Sequence, residues 1–215
     1  MDINLSLGLD TKVDAINQVL SAIGSVGINS EEEIDWNIDA AEADKAIDVI
    51  SQKVQTNQGK GWWFNREEFH KLTPDPVTGN IVVPNNTISA FVRRLPSGAI
   101  QPISLRGTRL FDSKSIGYDM RSLVNSSGYI ETILVVNLPF DYLPTSVKQA
   151  ITDAARFWTV NDKEGDTVKM ESLKGAADAS YMSLLSEDAS QRRRNLLNNK
   201  SIANTIAMVG GYNNN

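Results

Sequence analysis

Glu67 and Glu68, with Arg66 before them and His70 two residues on, are the side chains best suited to acid–base chemistry. A glycosidase needs two carboxyl groups across the scissile bond, one of them with a raised pKa. The segment reads as a strand, and neighbouring strand residues point to opposite faces, so one cleft cannot be lined by both. Solvated strand charges with Arg66 as a local partner are the plainer account. His70 is the only histidine. It is therefore the one possible base of a Ser-His-Asp triad, and a surface or packed imidazole explains it as simply. The absence of cysteine removes thiol nucleophiles, zinc ribbons and disulfide scaffolds. Glu31-Glu32-Glu33 lacks nearby ligands at metal-binding spacing and reads as a solvated cluster. Gly59-Lys60-Gly61 lacks the upstream glycine of a phosphate loop and is followed by Trp62 rather than Ser or Thr. No catalytic residue, cofactor or metal is expected.

Two further groups could contact nucleic acid. Arg192-Arg193-Arg194 is the one basic run. On a helix three consecutive residues cover roughly 200° of the surface, so they make no single patch. A solvated helix end, where the dipole favours cations, accounts for them. Trp62-Trp63 could stack bases, but strand alternation sends the rings to opposite faces. One ring in the core and one against a neighbouring molecule fits better.

The elements that must position these residues follow from periodicity. Val13, Ile16, Leu20 and Ile23 predict a helix from Thr11 to Ile23, with Thr11 and Asp14 as a capping box and Gly24 as its stop. An acidic connection follows, tucked down by Ile34 and Trp36. A second helix is expected from Asp39 to Gln55, capped by Asp39, with Ala43, Ala46, Ile47, Ile50 and Val54 inward. From Trp62 the period shortens. Strands are expected at Trp62–Asn65, Phe69–Leu72, Ile81–Pro84, Ile88–Arg93, Arg109–Asp112 and Tyr129–Val136, with turns at Pro74–Asn80, Pro96–Gly98, Gly107 and Asn125–Gly128. No helical period separates them, so the sheet should be antiparallel. Two helices return: Thr145–Thr159, with Val147, Ile151, Ala154 and Trp158 on one face, and Thr167–Asn198, with Leu173, Ala177, Tyr181, Leu184 and Leu185.

The expected fold class is α+β: a helical bundle from 1–61 and 138–198, an inserted β domain at 62–137, and a C-terminal arm at 199–215. The arm holds Ile202, Ile206, Met208, Val209 and Tyr212 with a single charge, Lys200. Apolar residues in so uncharged a terminus call for a surface to cover them, on this chain or a partner. At 215 residues, with 41% hydrophobic content, the chain can build its own core. Its 21 basic and 26 acidic residues give a net charge of −5, which argues against tight, sequence-independent binding of phosphates. Met1-Asp2-Ile3-Asn4 does not begin a secretory signal. The aliphatic runs fall far short of the ~20 residues that span a bilayer. A soluble protein with no membrane contact is expected.

The order of several segments resembles the tail tubular protein A family of short-tailed bacteriophages (podoviruses), the adaptor or gatekeeper of the head-to-tail connector. They are Leu20-Ser21-Ala22-Ile23-Gly24; Gly61-Trp62, Phe64-Asn65 and Glu67-Glu68; Leu72, Pro74-Asp75 and Ile81-Val82-Val83-Pro84; Arg109-Leu110-Phe111-Asp112; Phe140 and Leu143-Pro144; and Ala154-Ala155-Arg156-Phe157. The likeness runs over residues 13–160. Trp63 stands where the family usually has a smaller residue, and 199–215 do not align.

The resemblance implies a structural virion protein and no enzyme. It would form a homo-oligomeric ring, typically of twelve copies, between the portal protein and the tail nozzle (tail tubular protein B-like), with tail fibres as a further candidate partner. DNA would pass through the lumen without specific binding, and assembly would take place in the host cytoplasm. The arm residues named above become candidate portal contacts. Trp62, Trp63, Arg109 and Phe111 become candidate subunit or nozzle contacts. Two other readings are a tail-associated glycan or peptidoglycan hydrolase using Glu67 or Glu68, and a monomeric α+β binding module.

Overall fold

In a computed structural model, the described residues are 11–92, 102–163 and 166–197, the side chains of 193–197 excepted. The fold is α+β, and these residues divide into two compact units: 11–47 with 144–197, and 48–143. Each has its own core.

The first unit is helical. Helix α1 (Lys12–Ala22) starts as its sequence requires. Thr11 Oγ1 accepts the Asp14 N–H, and Asp14 returns a bond to the Thr11 N–H at 2.9 Å. Gly24, at φ +71°, ends the helix in a conformation that side chains resist. The acidic connection forms a short 3-10 helix, Glu31–Trp36. Trp36 is not tucked down: it is 89% exposed. Helix α2 (Ile38–Thr56) is capped by Asn37, whose Oδ1 accepts the Ala40 N–H at 3.2 Å. Asp39 lies inside the first turn and bonds instead to Ser25 and Lys163.

Helix α3 (Thr145–Lys163) runs one turn past its expected end and buries Val147, Ile151, Ala155, Thr152 and Thr159. Ala154 is only half-buried and Trp158 is exposed. The buried stripe is rotated from the apolar one because threonines share it. Their hydroxyls donate to the carbonyls four residues back, Thr152 to Lys148 at 2.8 Å and Thr159 to Ala155 at 2.9 Å. Satisfied in this way, a hydroxyl can enter a core. Helix α4 (Thr167–Leu197) keeps a narrow buried row: Leu173 and Leu184 are in, while Tyr181 and Leu185 are exposed. Ala22, Val160 and Leu173 form a small cluster with Ile23, Phe157 and Met170 around them.

The second unit holds the strands β1 (Arg66–Leu72), β2 (Thr87–Val92), β3 (Ile103–Arg106), β4 (Arg109–Asp112) and β5 (Ile130–Val136). Strand β5 is central in an antiparallel sheet of order β1-β5-β2, and β3 and β4 form a hairpin. Each neighbour of β5 carries one extra residue, between Glu67 and His70 in β1 and between Thr87 and Ser89 in β2. Such bulges bend a strand and raise its twist. Leu72, Ile81, Val83, Ala90, Leu110, Met120, Ile130, Leu134 and Val136 form the core.

Three strand expectations change. Residues Trp62–Asn65 form a turn, because the Asn65 side chain accepts the Trp62 N–H and folds the chain back. Ile81–Pro84 contributes only the single bridge of Val82 to Arg109. Strand β3 was not expected, although Ile103 and Leu105 alternate with Ser104 and Arg106 just before the Gly107 turn.

The last turns of α2 belong with this unit. Gln55 is fully buried; its Oε1 accepts the Leu138 N–H at 2.8 Å and its Nε2 donates to the Leu138 carbonyl at 2.9 Å. One amide thus clasps the backbone where the segment leaves.

Candidate assembly surfaces

The first expected contact residue is a core residue. Trp62 has no exposed surface, and its ring nitrogen donates to the Val54 carbonyl at 2.6 Å. Gly61 makes room beside it: at φ +64°, a Cβ there would lie 2.8 Å from the Val135 side chain. Trp63 is half-buried and meets Phe64 edge to face at 5.1 Å. Only Trp63 of the pair retains surface to offer.

Arg109 and Phe111 share one face of the β3–β4 hairpin. Opposed residues and alternate positions share a face, and the register sets Ser104 opposite Phe111 and Arg106 opposite Arg109. Leu105 and Leu110 point the other way, Leu110 into the core and Leu105 against it. Val82 bridges to Arg109 and so extends the outward face; it is exposed.

Like charges directly opposed across a hairpin repel. Here each guanidinium lies over a ring: Arg106 is 3.4 Å from the centroid of Phe111, and Arg109 is 5.5 Å from that of Tyr118. The rings meet edge to face at 5.2 Å. Phe111 is thereby buried under Arg106, although its strand position faces out. Neither arginine forms an ion pair among the described residues.

The loop beyond Asp112 adjoins this face. Buried Asp112 accepts the Lys114 N–H at 2.9 Å and the Ser115 hydroxyl at 2.7 Å, and its backbone bridges to Gly117. Ile116 at the tip is 80% exposed and sits at φ +55°. A β-branched residue in the left-handed region costs on the order of 1–2 kcal/mol. A loop closed by the Asp112 bonds thus presents an aliphatic side chain to solvent.

Glu67 and Glu68 fall in the β1 bulge and enter separate local pairs. Arg66 Nε lies 3.0 Å from Glu68, and His70 Nδ1 lies 2.9 Å from Glu67. Both carboxylates are exposed. Charges along the strand suit an edge, where they discourage pairing with another sheet. Elsewhere in this unit the Arg121 guanidinium beside Asp119 holds that carboxyl down at about 2.

In the helical unit the charges fall into two groups. Lys163 at the end of α3 lies 2.6 Å from both Asp39 and Glu42 in the first turns of α2. Those bonds raise the Lys163 ammonium pKa, and Lys163 with Ser25 lowers that of Asp39. By contrast, Glu31, Glu32, Glu33 and Asp35 form no ion pair among the described residues. Beside them Trp36 and Ile38 are exposed, Ile38 by 78%. At the far end of α4, Arg192 pairs with Asp188 at 2.7 Å.

The sequence profile of tail tubular proteins matches residues 13–204, most of the chain and parts of both units. The chain belongs to the tail tubular protein family. A search of curated proteins finds no match.

A tail tubular protein is a structural component of the phage tail, so its working surfaces are those that meet other virion chains. Among the described residues no cluster of His, Asp and Glu could hold a metal ion, and no helix is long and apolar enough to cross a membrane. The expected arm, with Ile202, Ile206, Met208, Val209 and Tyr212, lies outside the described residues. On the hairpin of this tail tubular protein, Arg106, Tyr118 and Ile116 join the residues that sequence reasoning singled out. Arg106-Gly107-Thr108-Arg109 carries a legible signal, two arginines flanking a two-residue glycine turn.

Proposed function

We propose that this tail tubular protein is the adaptor subunit of a short-tailed phage. Copies form a ring, typically of twelve, that joins the capsid portal to the tail nozzle and surrounds the DNA ejection channel. The family match over residues 13–204 carries this reading, and the order of motifs favours the A type. The protein works by shape and contact rather than catalysis. Its helical parts serve as the scaffold, the β unit meets a neighbouring subunit or the nozzle, and the apolar residues of 199–215 reach the portal. A net charge of −5 suits a conduit, since like charge lets DNA slide where a basic lumen would hold it.

The test is to mix the purified chain with the portal of its phage, weigh the complex and image it by electron microscopy. A ring seated on the portal is expected. Persistent monomer with no complex would overturn the reading. A chain lacking 199–215 should fold and no longer bind portal; undiminished binding would remove the arm from the proposal.

A further inference from the structure

We propose that the outward face of the β3–β4 hairpin docks on the acidic segment Glu31–Trp36 of a second copy of this chain. The proposal rests on the reading that copies assemble, and it names the two surfaces that meet.

Arg106 and Arg109 lie opposite one another, over Phe111 and Tyr118, with no carboxylate partner among the described residues. A guanidinium stacked on a ring is held by its flat face, while its five N–H donors lie in its plane and remain for other acceptors. Two such groups, fixed side by side, make a rigid site for a pair of carboxylates. Beside them Val82 is 61% exposed, and Ile116 is held outward by its loop. A bare phosphate chain would use the arginines and leave these aliphatic groups without a role.

The segment Glu31–Trp36 supplies the complement. Its six residues carry Glu31, Glu32, Glu33 and Asp35, none in an ion pair among the described residues. Trp36, the most exposed of the large apolar side chains among the described residues, ends it, and Ile38 follows. Thus one basic face and one acidic segment, each without a counter-charge among the described residues, both sit beside exposed apolar groups. The patches are different surfaces of one chain, so their contact is head to tail. Repeated, it generates rings or open filaments rather than closed twofold dimers.

The experiment uses two charge-reversed full-length chains, R106E/R109E and E31K/E32K/E33K, each checked for folding by circular dichroism. Assembly is followed by sedimentation, alone and on portal, with the wild type as reference. Opposing like charges across an interface should weaken self-association of either variant by about tenfold or more. An equimolar mixture should assemble again, because each reversed face then meets its complement.

Wild-type assembly by either variant alone, or a mixture that stays apart while both chains are folded, would overturn the proposal and leave the adaptor reading intact. A wild type that assembles neither alone nor on portal would overturn both. Duplex DNA bound at low salt by the wild type and lost in R106E/R109E would assign the face to phosphate instead. Since the chain has no cysteine, T108C and S30C give a direct check. Oxidising a mixture of the two should yield a crossed disulfide faster than oxidising either alone, and equal rates would count against the contact.

Discussion

One amide organises the start of the sheet. Asn65 is buried, accepts the Trp62 N–H at 2.8 Å, and donates at 3.0 Å to the carbonyls of Gln55 and Val136. It ties the end of α2, the turn and the end of β5. Removing it takes away three hydrogen bonds at a buried site, so Asn65→Ala should lose about 2–4 kcal/mol of stability in urea unfolding. Asn86→Ala is the control: it removes an exposed bond to the Asn137 carbonyl and should cost under about 1 kcal/mol. Equal losses would mean that Asn65 is not the organiser. The sequence marks Phe64-Asn65 but not this role, because two of the three partners are backbone groups at distant or unmarked positions. Trp62 is the ring that goes into the core, as expected of one of the pair, but a turn rather than strand alternation puts it there, and the Val54 carbonyl that receives its ring N–H cannot be read from a pattern.

At the scale of elements, legibility followed the source of each signal. The ends of helix α1 are readable, since its cap and its stop are local, while of its expected stripe Ile16 and Leu20 are buried and Val13 and Ile23 only half-buried. The α3 stripe was misaimed because Thr152 and Thr159 satisfy their own hydroxyls and pass as core. Strand β3 was missed because four residues of alternation give a weak period, and Ile81–Pro84 was over-read because buried Ile81 and Val83 look like a strand without pairing as one. Helix α4 offers a sharp test of burial against hydrophobicity. Leu184 is wholly buried and its neighbour Leu185 is 39% exposed. Leu184→Ala should cost about 2–5 kcal/mol. Leu185→Ala, already partly in water, should cost far less. Comparable denaturation midpoints for the two variants would refute the narrow buried row.

For the whole molecule, the net charge of −5 conceals an uneven distribution. Lys12, Lys163 and Arg156 are matched with Asp44, with Asp39 and Glu42, and with Asp153. Among the described residues the hairpin arginines and the Glu31–Asp35 carboxylates are not. Assembly through unmatched surfaces should therefore respond to ionic strength: the Debye length falls from about 10 Å at 0.1 M salt to about 3 Å at 1 M. Sedimentation of the wild type should show weaker self-association at the higher salt. Association that strengthens with salt would point to the apolar groups alone. None of this was readable from composition, which reports a sum and not a distribution.

The Gln55 clasp on Leu138 closes the β unit on itself. A stretch whose first and last backbone segments are bonded to each other through one of its own side chains already closes its own loop. Gln55 and Leu138 are 83 positions apart, so the entropy of closing that long stretch is offset inside the unit itself.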